Sequence, residues 1–93
     1  MVVASLRVEL MVNGSGSLKD KRNAIRSLRD RIRGKFNVSV AEVDNQDLWQ
    51  RGTLGIAVVS GDGGHAREIL DKVRRLIEQD MRVSVLDSHT EYA

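Results

Sequence analysis

Ninety-three residues, 41% hydrophobic and 30% charged, leave room for one domain, expected to be soluble and globular with a modest core, and argue against wholesale disorder. With no cysteine, a disulfide framework, a thiolate metal site and a cysteine nucleophile are excluded. The formal charge is only +2, yet residues 1–37 carry nine Lys/Arg against three acids, and residues 38–93 carry six against ten, so the surface is polarised.

Val2 to Val12 alternates. Val2, Ala4, Leu6, Val8, Leu10 and Val12 form an apolar row and Val3, Ser5, Arg7, Glu9 and Met11 a mixed one, which predicts a strand with one buried face. Asn13-Gly14-Ser15-Gly16 breaks it as a loop. Ser17 reads as a helix N-cap, with Asp20 three residues on as a variant capping box. Leu18, Ile25, Leu28 and Ile32 follow at helical spacing, the helix ends near Gly34, and Phe36 closes the core. Val38, Val40 and Val43 make a second strand, and the switch of parity around Ala41-Glu42 predicts a bulge.

After the turn Asp44-Asn45-Gln46-Asp47, a third strand is expected from about Leu48 to Ser60, with Leu54, Ile56 and Val58 as its apolar row. Gly61-Asp62-Gly63-Gly64 is a breaker. Ala66, Ile69, Leu70, Val73, Leu76 and Ile77 then define the clearest amphipathic helix. Met81 to Leu86 reads as a short last strand, with a polar tail from Ser88.

The order strand, helix, strand, strand, helix, strand over residues 1–93 predicts a single α+β domain, a ferredoxin-like βαββαβ sandwich. Its antiparallel four-stranded sheet has the order 4-1-3-2, and right-handed crossovers place both helices on one face. No run approaches ~18 apolar residues, so no membrane partner is expected. Arg7 and Glu9 interrupt the apolar start, which argues against a secretory leader; the chain reads as cytoplasmic.

Ser17-Leu18-Lys19-Asp20-Lys21-Arg22, then Phe36-Asn37-Val38-Ser39-Val40-Ala41-Glu42-Val43-Asp44, then Asp47-Leu48-Trp49-Gln50-Arg51, resemble the bacterial YlxP-like family of small proteins along essentially the whole chain. The resemblance implies a ferredoxin-like fold in a bacterial cytoplasmic protein. It implies no activity. The family's genes often neighbour those of transcription and translation factors, which implies an RNA or ribosome setting by association.

Lys19, Arg22, Arg26, Arg29 and Arg33 step by 3 and 4 along the first helix and fall in a band about 80° wide, flanking the buried face. Long arginines there lay their stems on the apolar rim and hold their charges in a ridge suited to phosphate groups. The competing explanation is a solvated flank paired with Glu68, Asp71 or Glu78 of the second helix. Lys21 joins the candidate nucleic-acid contacts, with Trp49 and Arg51 as a second contact near a hairpin end; a lone Trp is more often a rim residue of the core. The open sheet face offers no aromatic platform, which argues against base reading in the manner of an RRM. Instead Val3, Ser5, Arg7, Gly55, Ala57 and Val59 make a flat, half-apolar surface suited to a homodimer, with Arg7 and Glu9 pairing across a two-fold axis.

Other constellations are poor. Gly14-Ser15-Gly16 precedes a helix but lacks the spacing of a Walker loop or a dinucleotide fingerprint, so a plain connection outweighs a phosphate contact. Acylphosphatase, of the same fold class, binds phosphate near this place, but its arginine-bearing loop motif is not evident here. His65 and His89 have no second ligand at short spacing. Glu42 and Asp44, expected on one strand face, suit turn solubility better than Mg²⁺. The expectation is therefore a non-enzymatic RNA- or ribosome-associated module without metal or cofactor. The alternatives are a protein-interaction or homodimerisation module and, more remotely, an anion-binding phosphohydrolase-like enzyme.

Overall fold

β1 (Val2–Val12) is the long strand the alternation predicts, and in the computed structural model, which describes all of Met1–Ala93, it lies inside the sheet. The elements that follow are α1 (Leu18–Lys35), β2 (Ser39–Asp44), β3 (Arg51–Ser60), α2 (Gly63–Glu78) and β4 (Val83–Tyr92). The sheet order is β2-β3-β1-β4, antiparallel throughout, with both helices on one face: a ferredoxin-like α+β sandwich.

Register follows from the buried rows. Ala4, Leu6 and Val8 stand opposite Val58, Ile56 and Leu54, and all six are buried beneath the helices. Ala24, Ile25, Leu28 and Ile32 of α1 and Ala66, Leu70, Val73, Leu76 and Ile77 of α2 close over them in one hydrophobic cluster, so there is a single core. α1 rides over β2 and β3, and α2 over β1, β3 and β4.

The helix ends are fixed by short polar side chains. The Asp20 N–H donates to Ser17 Oγ (3.1 Å) while the Gly16 N–H donates to Asp20 Oδ2 (3.1 Å), the predicted variant of the capping box, its acid reaching the residue before the cap. Asp62 caps α2 by accepting from the His65 N–H (3.1 Å), which draws Gly63 and Gly64 into the first turn. At the other end of α1, Phe36 is extended, and its N–H closes the last turn on the Ile32 carbonyl.

Two boundaries differ from the sequence expectation. β3 begins at Arg51, because Leu48–Gln50 belong to the connection from β2. β4 continues through Ser88–Tyr92 rather than dissolving into a polar tail: Ser88, His89, Thr90, Glu91 and Tyr92 pair with Val8, Arg7, Leu6, Ser5 and Ala4. Backbone pairing with β1 needs no apolar side chains, and an edge strand with charged side chains resists pairing with other chains. An irregularity at Leu86 separates the apolar and polar parts of β4. The parity switch in β2 is real: a bulge between Glu42 and Asp44 leaves Val43 without a partner.

Candidate functional site

The sides of α1 differ in what they meet. On the flank towards α2, Arg31 Nη1 donates to Asp80 Oδ2 at 2.9 Å. The opposite flank, on the β2 side, carries the predicted ridge. Lys19, Arg22, Arg26 and Arg33 are exposed and Arg29 is half-buried. The expected pairs with α2 do not form. Glu68 pairs with Lys72 (3.5 Å), and Asp71 and Glu78 both pair with Arg74 (3.9 and 3.4 Å), all within α2. The reason is rotational, since the ridge faces away from α2. No ion pair in the protein involves Lys19, Arg22, Arg26 or Arg29. Arg33 Nη2 donates to the Val40 carbonyl (2.9 Å), tying the ridge to β2. Arg29 Nε is buried without a partner.

Lys21 does not belong to this surface. It is fully buried, and its Nζ donates to Glu42 Oε2 (2.6 Å), the Asn45 carbonyl (2.9 Å) and the Gln46 carbonyl (3.1 Å). An ammonium group has three protons to donate, and three acceptors meet them here. The sequence held a signal for this. At about 100° per residue, Lys21 falls between Leu28 and Ile32 on the helix, in the middle of the apolar face. The bulge in β2 makes the pair possible by parting two carboxylates expected on one face. Glu42 turns under α1 to Lys21, whereas Asp44 turns to the open face and accepts from Arg7 Nη2 (3.2 Å). Gly52 leaves room for this approach: a Cβ there would stand 3.2 Å from both Ile25 Cδ1 and Glu42 Oε2.

Lys21 thereby fastens the β2–β3 connection to the first turns of α1. Asn45 holds a left-handed φ of 60°, a conformation Asn tolerates better than most residues. Its side-chain amide donates to Thr53 Oγ1 (2.8 Å), and its carbonyl accepts the Leu48 N–H (3.1 Å) as well as Lys21. Beyond it Asp47, Leu48, Trp49 and Gln50 are all exposed, with Trp49 at 49% of its full area. The Gln50 carbonyl accepts the Val12 N–H (2.8 Å), and Arg51 stands opposite Met11. The connection bearing Trp49 thus lies at the end of the sheet where α1 begins, whereas Arg51, sharing the face of Met11, projects from the open sheet face and does not join the ridge as expected.

The open sheet face divides into two halves. One is polar: Arg7 Nε donates to Glu9 Oε1 (3.2 Å), and Glu9 Oε2 accepts from Thr53 Oγ1 (2.7 Å). Residues two apart on one strand share a face, so Arg7 and Glu9 pair within the chain. The other half holds Val3, Ser5, Ala57 and Val59, with Val59 at 64% exposure. Gly55 is not flat open surface as expected. The bulged Val43 roofs it, so that a Cβ there would stand 2.9 Å from Val43 Cγ1. Beside Val43 lies a shallow groove of about 300 Å³ lined by Ser5, Ala41, Gly55 and Ala57.

Two further polar features are structural. The Asp20 carboxylate holds the Gly16 N–H, so the protein's own anion occupies the N-terminus of α1 next to Gly14 (φ 71°). The buried Asp80 accepts from Arg82 through the backbone N–H (2.9 Å), Nε (3.2 Å) and Nη2 (2.9 Å), and from Arg31. The Arg82 side-chain hydrogen bonds outweigh burial and hold its carboxyl below the usual value of 3.8. No helix is long and apolar enough to cross a membrane.

The sequence profile of a family described as protein of unknown function (DUF503) matches residues 3–90. The chain is 34% identical over 84 residues to the uncharacterized protein YlxP of Bacillus subtilis (strain 168), covering 90% of this chain and 91% of that one. Among solved structures, a dimeric ferredoxin-like protein from an uncultured marine organism is similar at 17% identity and a TM-score of 0.34, covering 97% of this chain and 85% of that one. With the family profile and the Bacillus relative each spanning nearly its full length, the chain belongs to the YlxP-like DUF503 family.

Proposed function

We propose that the chain is a non-enzymatic RNA- or ribosome-associated module that holds phosphate groups along the β2-side flank of α1. The observation carrying this reading is the set of cations Lys19, Arg22, Arg26 and Arg29, none of which is neutralised by an acid of the chain. A stable fold needs no such row of like charges, and unneutralised cations in line are the electrostatic footprint of a polyanion partner. The partner's counterions are released on contact, so affinity falls with salt. The test is association with RNA or ribosomal subunits across a salt series, for the wild type and for Arg22→Ala/Arg26→Ala/Arg29→Ala. The triple variant is expected to bind more weakly and to lower the slope of log affinity against log salt by about two. Equal affinity and slope in the two proteins would remove the ridge from function.

A second reading, homodimerisation through the apolar half of the open face, is favoured by the exposure of Val43 and Val59 beside the groove. Sedimentation of the wild type beside Ala57→Arg and Val59→Glu decides it: a dimer that both changes dissociate supports the reading, and a monomeric wild type ends it.

A further inference from the structure

We infer that Trp49 is a stacking platform for an unpaired base, so that the ligand of the α1 flank is single-stranded rather than duplex RNA. This inference rests on the phosphate-binding reading above and adds the class of ligand. Trp49 is the only tryptophan of the chain, it is half exposed, and Leu48 beside it is 45% exposed. The other two aromatics are placed elsewhere. Phe36 packs half-buried against the core, and Tyr92 pairs with Ala4 at the far end of β4. The open sheet face therefore carries no aromatic side chain, and a base that stacks on this protein at the ridge stacks on Trp49.

The connection bearing Trp49 is held more firmly than a solvent loop requires. Lys21 fastens two successive carbonyls, Asn45 and Gln46, from inside the protein. The left-handed Asn45 is tied by its side chain to Thr53, and Gln50 is tied through its carbonyl to Val12. These ties fix a segment whose own side chains, Asp47 to Gln50, all point to solvent. A platform held in place by surrounding structure loses little entropy when a ligand arrives.

Charge places the phosphates. Lys21 lies in sequence between the exposed Lys19 and Arg22, so the same helical turn that clamps the connection also starts the ridge. From Lys19 to Arg33 the ridge runs about 21 Å at 1.5 Å per residue, room for several consecutive phosphates of one strand. Asp47 carries no ion pair and sits two residues before Trp49. It repels phosphate from the connection and leaves Trp49 to the uncharged base. Bases within a duplex are already stacked and paired, so only an unpaired base offers its face to the indole.

A single tryptophan makes the test direct. Labelled single-stranded oligoadenylate and an RNA duplex of equal length are titrated at low salt, reading anisotropy for binding and Trp49 fluorescence for stacking. The single strand is expected to quench Trp49 and to bind at least tenfold more tightly than the duplex. Trp49→Ala should weaken single-strand binding by roughly ten- to hundredfold and leave duplex binding unchanged, with Trp49→Phe retaining most of the preference. Anisotropy showing binding that leaves Trp49 fluorescence unchanged, or equal loss of both ligands in Trp49→Ala, overturns the stacking inference while the ridge stands. Absence of binding to either RNA overturns both readings. Far-UV circular dichroism of each variant separates loss of contact from loss of fold.

Discussion

Lys21 Nζ and Glu42 Oε2 lie 2.6 Å apart beneath α1, with the lysine side chain at 0% exposure and the glutamate at 16%. This pair joins the centre of the apolar face of α1 to the bulge of β2, and through two further carbonyls it sets the path to Trp49. Removing one member of a buried pair strands the other, which costs far more than the pair itself contributes.

Lys21→Met is therefore expected to lower unfolding stability by about 3 kcal/mol, because Glu42 and two carbonyls lose their donor together. Lys21→Met/Glu42→Leu should recover part of that loss. Urea unfolding followed by circular dichroism measures both, and a single variant within ~0.5 kcal/mol of wild type would show the clamp to be incidental.

The Asp80 cluster gives the pH dependence a sign. Its folded pKa lies below the unfolded value of 3.8, so the folded protein releases this proton more readily. The stability it contributes is fully present above 3.8 and is lost as pH falls through the lower folded value. Thermal unfolding from pH 7 to pH 2 should show a steep loss below about pH 4, shallower in Asp80→Asn. Parallel acid limbs for the two proteins would exclude Asp80 as a source of the acid sensitivity.

Gly55 and Val43 should be coupled. Gly55→Ala puts a methyl 2.9 Å from Val43 Cγ1 and is expected to cost about 1 kcal/mol. In a Val43→Ala background the same change should be neutral or slightly stabilising, since alanine restricts the unfolded chain more than glycine does. A double-mutant cycle reads the coupling, and additive effects would mean that Val43 moves aside freely.

The ridge should be dispensable for folding. Arg22→Ala and Arg26→Ala remove exposed charges without partners, so each should shift stability by no more than ~0.5 kcal/mol. Arg29→Met keeps the packed stem and removes the buried, unpartnered Nε, and should raise stability by up to ~1 kcal/mol. Large losses from Arg22→Ala or Arg26→Ala would return the ridge to a structural role.

Period and capping chemistry make the frame legible in the sequence alone. The alternation of β1, the Ser17–Asp20 box, the parity switch in β2 and the 3–4 steps of α2 are properties of neighbouring residues, and each survives in the structure. The basic ridge was legible for the same reason, because one helix defines its own faces. What it faces was not. Only the seating of α1 over β2 and β3 turns the ridge away from the acids of α2 and leaves it without partners. The extension of β4 past Ser88 is likewise a tertiary result, since its polar residues take their conformation from hydrogen bonds to β1. The burial of Lys21 was half legible. Its place on the helix wheel marks it as inward-facing, but whether a buried ammonium is tolerable depends on three acceptors that the bulge and the left-handed Asn45 bring together from more than twenty residues away.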